Sequence, residues 1–341
     1  MRTNSSTPEA RPGTSPGTMR AVVQDAYGEA DVLRLAEIAR PAINDDEVLV
    51  RVHAAGVDQG AWHLMAGLPY PIRQAGFGFR APKARVRGRE LAGRVEAVGG
   101  AVTGFRPGDE VLGIGEGCFA EYAVAPANKV VAKPAGVSFR EAAAIGISAT
   151  TALQAVRDQG RVQPGQQVLV IGASGGVGTF AVQIAKAFGA VVTGVCSTGK
   201  VDLVRSLGAD AVVDYRREDV TAGGGRFDVI LDTGGNTPLR RLRRVLAPQG
   251  TLVIVGAETG GRVLGGLDRQ LRAMLLDPFT SQRLGSFLAT ENAADLSALV
   301  ELIEAGKVTP AVDRAFPLAE TPAAVRYLRA GEARGKVVIE A

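Results

Sequence analysis

Gly172-Ala173-Ser174-Gly175-Gly176-Val177-Gly178 lies between a short apolar run at 168–171 and a segment, 177–188, in which Phe180, Ile184, Ala187 and Phe188 recur at helical spacing. Aligned to the dinucleotide fingerprint, the stretch reads Ala173-x-Gly175-x-x-Gly178, with alanine in place of the first glycine. A strand, a glycine-rich turn and an amphipathic helix in that order give the pattern its meaning. The glycines allow a tight turn, backbone approach to a pyrophosphate and close packing of helix on strand. The helix N-terminus then offers free N–H groups and a positive dipole to phosphate. Gly189 is placed to end the helix.

Downstream the alternation continues. Strands are read at 191–196, 211–213, 227–231 and 251–255, with helical periods through Val201, Val204 and Leu207 and over 238–246. Alternating apolar strands and amphipathic helices predict a parallel sheet covered on both faces. Upstream, short strand candidates at 20–23, 47–53, 91–98, 110–112 and 120–124 are separated by turn signals such as Arg106-Pro107-Gly108-Asp109, which predicts a compact β-rich unit. Beyond Gly285 the reading is a strand at 286–288, a helix at 294–305 and a last strand at 336–339, returning to the first unit.

The expected organisation is α/β: a tail at 1–18, a β-rich domain at 19–145 completed by 285–341, and a doubly wound domain at 146–284. The tail MRTNSSTPEARPGTSPGTM is rich in Ser, Thr, Pro and Gly and lacks the apolar stretch of a secretory signal, and Met19 reads as an alternative start. Two cysteines, Cys118 and Cys196, exclude a disulfide framework and suit a reducing, cytoplasmic setting. No run of residues is long and apolar enough to span a membrane. A net charge of +4 is mild. The basic run Arg80, Lys83, Arg85, Arg87 and Arg89 sits on no recognised nucleic-acid module, so no nucleic-acid partner is expected. Arg240-Arg241-Leu242-Arg243-Arg244 reads as a solvated helix face.

The residues after the second parallel strand choose the nicotinamide cofactor. NAD sites usually place an acid roughly 20 residues beyond the fingerprint to bind the ribose hydroxyls. Here the stretch is Cys196-Ser197-Thr198-Gly199-Lys200, with no acid, while Tyr215 and Arg216 follow the third strand. Hydroxyls and a cation favour a 2′-phosphate, so NADPH is expected, held by Ala173, Ser174, Gly175, Gly176, Val177, Gly178, Ser197, Thr198, Lys200 and Tyr215.

His53-Ala54-Ala55-Gly56-Val57, Glu90-Leu91-Ala92-Gly93, Val98-Gly99, Pro107-Gly108-Asp109-Glu110-Val111, Phe119-Ala120-Glu121-Tyr122, Leu207-Gly208-Ala209-Asp210 and Gly335-Lys336-Val337-Val338 join the glycine loop in a wider pattern. With them the chain, from Met19 onward, resembles the medium-chain dehydrogenase/reductases of the quinone oxidoreductase branch. The resemblance implies a GroES-like catalytic domain beside a Rossmann domain, nicotinamide in the cleft between them, and a homodimer joined through Rossmann edges. It also implies contacts to the cofactor from Thr150 and Phe287.

Zinc members of that superfamily carry a Cys after Gly-Val, a Gly-His-Glu motif and a third ligand before the Rossmann domain. The matching positions are Asp58, Arg89 within Gly88-Arg89-Glu90, and Gly146, which cannot hold a catalytic zinc. Without a metal to polarise a carbonyl, the substrate must itself be electrophilic, as quinones and α,β-unsaturated carbonyls are. The candidate catalytic residues are Asp58 and Arg89, read either as an ion pair beside the nicotinamide or with Arg89 turned to solvent, and Tyr70, read either as a hydrogen-bond donor to the substrate oxygen or as an aromatic lining the pocket. His53 and His63 read as packing residues. Two alternatives remain open: reduction of an enoyl thioester or simple ketone on the same frame, and an NADPH-binding sensor or partner-binding protein with little turnover.

Overall fold

A computed structural model describes residues 17–235, 237–256, 261 and 263–341, so most of the expected tail lies outside the described residues. The first unit opens with a two-stranded ribbon, β1 (Thr18–Val23) and β2 (Arg34–Ala39), followed by β3 (Glu47–Val57) and α1 (Gln59–Ala66). Strands β4 (Glu90–Val98), β5 (Glu110–Ile114), β6 (Tyr122–Pro126) and β7 (Val130–Ala132) complete its sequential part. Alternation explains β3: Val48, Val50 and Val52 are buried on one face, and Arg51 faces solvent between them. Helices α2 (Phe139–Ala142) and α3 (Gly146–Gln154) lead out of this sheet.

The second unit runs β8 (Gln167–Ile171), α4 (Gly176–Ala187), β9 (Val191–Cys196), α5 (Val201–Ser206), β10 (Ala211–Asp214), β11 (Phe227–Asp232), α6 (Leu239–Val245), β12 (Leu246–Ile254), α7 (Leu267–Leu276) and β13 (Arg283–Ser286). Its six strands are parallel in the order β10-β9-β8-β11-β12-β13. Leu169 of β8 pairs with Thr193 on one side and Ile230 on the other, so the order reverses at β8. Ligands of open parallel sheets sit at that reversal, outside the carboxyl ends of the strands. Phe180, Ala181, Ile184 and Ala185 bury the inner face of α4, as the helical period requires.

The strand read at 286–288 lies instead at Arg283–Ser286, in the parallel sheet beside β12. The buried residue there is Leu284, whose N–H is taken by Asp277 at 2.6 Å, whereas Leu288 stands 93% exposed. The chain then forms α8 (Ala293–Glu304), β14 (Val312–Pro317), α9 (Thr321–Arg329) and β15 (Lys336–Glu340). β15 returns to the first sheet, antiparallel to β3 and parallel to β14.

One buried ionic contact sits where the first sheet meets α3. Glu90, on β4, and Lys336, on β15, are both fully buried and paired; the Lys336 Nζ also donates to the Ser148 Oγ at 2.9 Å. The second Glu90 oxygen accepts the N–H groups of Ile147 and Ser148, at 2.7 and 2.9 Å, from the first turn of α3. Burial pushes the Glu90 carboxyl above its ordinary value, and the Lys336 charge opposes that shift. Lys336→Met should leave a buried carboxylate without its cation and cost about 3–5 kcal/mol. The double variant Glu90→Gln/Lys336→Met should lose clearly less. Urea unfolding of both would check this, and equal losses would mean that the ion pair is not the source.

Candidate active site

The seven residues of the glycine stretch gather where β8 meets α4. Gly172 has φ of +80°, and a Cβ there would meet the Thr233 hydroxyl at 2.5 Å. A Cβ on Gly178 would run into the Gly172 carbonyl, so this glycine sets how closely helix and loop approach. Ala173 is fully buried, and its N–H donates to Val195 at 3.0 Å. The Ser174 carbonyl accepts the Gly335 N–H at 2.9 Å, fixing the loop to the residue before Lys336. Gly175 caps α4 and Gly176 opens it, with the Lys336 stem 3.1 Å from where a Cβ would stand on Gly176. Val177 is half-buried. The first-turn N–H groups of α4 have no acceptor within the helix, so this end presents free donors of the kind an anion binds and is the candidate anion seat.

At the next strand ends, Ser197 is half-buried, and Thr198 and Tyr215 are exposed. The Thr198 hydroxyl donates to Asp214 at 2.6 Å and is the main cause holding that carboxyl below its ordinary value, with burial opposing. The neighbouring strand thus supplies an acid that the stretch after β9 lacks. Asp214 is also met by the Arg216 N–H at 3.0 Å and the Arg217 guanidinium at 3.5 Å. Lys200 does not stand open to a phosphate: its Nζ donates to the carbonyls of Gly331 and Ala333, at 2.8 and 2.7 Å, and burial lowers its pKa. The cation left open here is Arg216, exposed and without an ion pair among the described residues.

Thr150 is buried on α3, its hydroxyl donating to the Gly146 carbonyl at 2.7 Å, and Phe287 directly follows β13. Asp58 and Arg89 do not pair. Asp58 caps α1, accepting the Ala61 N–H at 2.7 Å. Arg89 makes two 2.8 Å contacts to Glu291, which Lys129 also meets at 3.0 Å. A cap and a two-oxygen fork each satisfy their group better than the single bond read from sequence. Tyr70 lies in the loop after α1, 43% exposed, with the Arg73 guanidinium 5.0 Å above its ring and 4.5 Å from that of Tyr27.

His53 stacks on Phe139 at 4.2 Å, and a His63 ring nitrogen lies 2.8 Å from the Leu68 carbonyl; burial lowers the pKa of both. Zinc does not fit this donor set. Asp58 and Arg89 are engaged elsewhere, and any side chain on Gly146 would start 2.9 Å from the Gly113 carbonyl. Among the described residues no three His, Cys, Asp or Glu side chains are grouped to hold a metal.

The sequence reading missed Glu90, Ser148, Lys336 and the Asp232–Arg269 pair. Asp232 ends β11 fully buried, accepts the Gly235 N–H at 3.0 Å and binds the Arg269 guanidinium. The available signal was a charged residue closing a buried strand, just before Gly234-Gly235.

A side chain at Gly175 meets a single close neighbour, the Gly172 carbonyl 3.3 Å from where its Cβ would stand, a contact that a shift of a few tenths of an ångström relieves, and its backbone is ordinary extended chain. Gly175→Asp should therefore fold normally yet place a carboxylate in the anion seat and weaken dinucleotide binding at least about tenfold. Nicotinamide fluorescence titration, with circular dichroism as the folding control, reads this.

Residues 44–135 match the alcohol dehydrogenase GroES-like domain family, and residues 207–339 match the zinc-binding dehydrogenase family. The NAD(P)H oxidoreductase RTN4IP1, mitochondrial, of Danio rerio is 35% identical over 94% of this chain and 91% of its own length. The chloroplastic quinone-oxidoreductase QR1 of Triphysaria versicolor is 32% identical over 94% of this chain and 98% of its own. Among solved structures, mycobacterial Rv1454c complexed with NADPH superposes with a TM-score of 0.80 at 26% identity, covering 95% of this chain and all of that one. The glycine cradle at the sheet reversal, beside a GroES-like β unit, agrees with these likenesses: the chain belongs to the medium-chain dehydrogenase/reductase superfamily of oxidoreductases, in its quinone oxidoreductase-like branch.

Proposed function

We propose that this protein is an NADPH-dependent, zinc-independent reductase of quinones and α,β-unsaturated carbonyls. The observation that carries the reading is the combination of a phosphate cradle with metal positions whose side chains are committed to other contacts. The relatives named for quinone and NAD(P)H chemistry, and the neighbour bound to NADPH, support it. The bound cofactor would supply the hydride. The chain's part is to seat the pyrophosphate on 173–178, to hold Ser197, Thr198, Tyr215 and Arg216 toward a 2′-phosphate, and to line the nicotinamide end with Thr150 and Phe287. Asp214 weakens the phosphate preference expected from sequence, and Arg216 and Arg217 offset it.

With no Lewis acid, the reacting carbon must already be electron-poor, and the protein needs only to orient the substrate and stabilise its developing oxyanion. Tyr70, held by Arg73, is the donor proposed for that oxygen. Asp58 and Arg89 act as positioning residues, one fixing α1 and the other tying β4 to Glu291. In domain terms, 19–145 with the returning tail carries the substrate side and 146–284 the cofactor side.

We propose a homodimer on the same grounds. β13 is an open edge of the parallel sheet. Beside it α7 exposes Leu267, Leu271, Met274 and Leu275, an apolar face that a second copy would cover. Among the described residues no helix is long and apolar enough to cross a membrane, and the two free cysteines are buried, which supports a cytoplasmic site of action.

NADPH oxidation against benzoquinone, naphthoquinone, an alkyl enone, an enoyl thioester and a simple aldehyde tests the reaction. Quinones or enones should turn over, unaffected by EDTA; activity on the aldehyde alone, lost in chelator, would sink the proposal. Arg216→Ala should raise the KM for NADPH about tenfold and leave that for NADH in place. Leu271→Glu/Leu275→Glu should give a monomer by light scattering, and a wild-type monomer at micromolar concentration would refute the dimer.

A further inference from the structure

α6 carries four arginines, and three of them share one hollow. Arg240, Arg243 and Arg244, with Thr280, Ser281 and Gln282 from the segment before β13, line an open cavity of about 440 Å³. No acidic residue lines it. Arg241, on another face of the helix, is paired with Asp219 at 3.2 Å. Arg240 and Arg244 form no ion pair among the described residues, so two guanidinium charges stand together without a counter-charge.

The third arginine is held in place. Arg243 donates from Nε to the Gln282 amide oxygen at 3.0 Å and from Nη2 to the Thr280 hydroxyl at 3.1 Å. The Gln282 amide nitrogen in turn donates to the Arg243 carbonyl at 3.0 Å, and the Ser281 hydroxyl to the Pro248 carbonyl at 2.6 Å. One guanidinium is thus oriented by neutral partners, which leave its charge unanswered, and two exposed ones flank it. Like charges gathered this way repel unless an anion joins them.

The position separates this hollow from the cofactor. Pro248 lies in the first half of β12, before the residues that pair with β13, and Gln282 precedes the first residue of β13, so the cavity opens at the amino ends of parallel strands. The anion seat on α4 lies at their carboxyl ends. No aromatic residue lines the hollow, so it offers nothing for a nucleobase to stack on, as a nucleic-acid site would. Its lining carries no exposed Leu, Ile or Phe to enter a bilayer.

We propose that this cavity is a second anion site, distinct from the dinucleotide cradle, that binds a soluble phosphomonoester or diphosphate. Guanidinium forks match phosphate oxygens two at a time, and the Thr280 and Ser281 hydroxyls add shorter contacts. The site needs no change in the catalytic face, and a ligand here would bridge α6 to the segment leading into the sheet edge.

The test uses inorganic pyrophosphate as the probe, titrated calorimetrically into the full chain already saturated with NADPH, so that the α4 seat is occupied. Saturable binding is expected, weakened at least about tenfold in Arg240→Ala/Arg244→Ala and falling steeply with salt. NADPH affinity, read by fluorescence, should be the same in the variant, which also reports that it folds. Thr280→Val, which leaves every charge in place, should weaken binding by a smaller factor. Vesicles containing phosphatidate form a parallel arm that presents the same phosphate on a membrane. No saturable heat with pyrophosphate, equal binding by the double variant, or capture by vesicles alone would each overturn the proposal.

Discussion

A carboxylate sealed from water needs its charge answered where it lies. Glu90 has that answer in Lys336, and the pairing brings together elements far apart in the chain. β4 supplies the acid, β15 the cation and α3 the two N–H groups and the hydroxyl that complete the shell. The Lys336 stem also packs where the first residue of α4 leaves room for it, and the preceding Gly335 N–H is bonded to Ser174. The anion seat is therefore braced from behind by a contact belonging to the other sheet. Gly56 and Gly146 lie against the same carboxylate side chain, and their lack of a Cβ is what lets β3 and α3 close over it.

The positions matched to zinc ligands elsewhere in the superfamily are taken up here by other contacts. A cation still occupies the middle position, but as Arg89 it is long enough to reach Glu291, beyond β13, where Lys129 also arrives. Asp58 closes the first turn of α1. Both groups keep their charge satisfied locally, each held by its own partner.

Much of this was legible beforehand. β9 was read to the residue and α4 to within one, because buried parallel strands and a one-sided helix leave unbroken apolar periods. The glycine turn between β8 and α4 followed from glycine spacing and its strand–helix setting. What escaped was long-range. Nothing near Arg89 in sequence announces Glu291, and nothing near Thr198 announces Asp214, since each partner arrives from a different strand or loop. α7 was also missed. Its leucines at 267, 271 and 275 have the right spacing, but they face outward, and a period that marks an exposed stripe does not announce a core. The strand placed at 286–288 failed for a related reason: local apolarity pointed to Leu288, while pairing with β12 selected Leu284.

The late position of Lys336 also bears on the order in which the protein can mature on the ribosome. β3 and β4 emerge early, yet β3 lacks its β15 neighbour, and Glu90 its cation, until 246 further residues have been made. Until then a nascent chain would carry a frayed sheet edge and a carboxylate that prefers to stay hydrated, so the early unit has reason to remain loose. Closure of the first sheet over Glu90 therefore waits for β15, whatever else of the chain has folded by then.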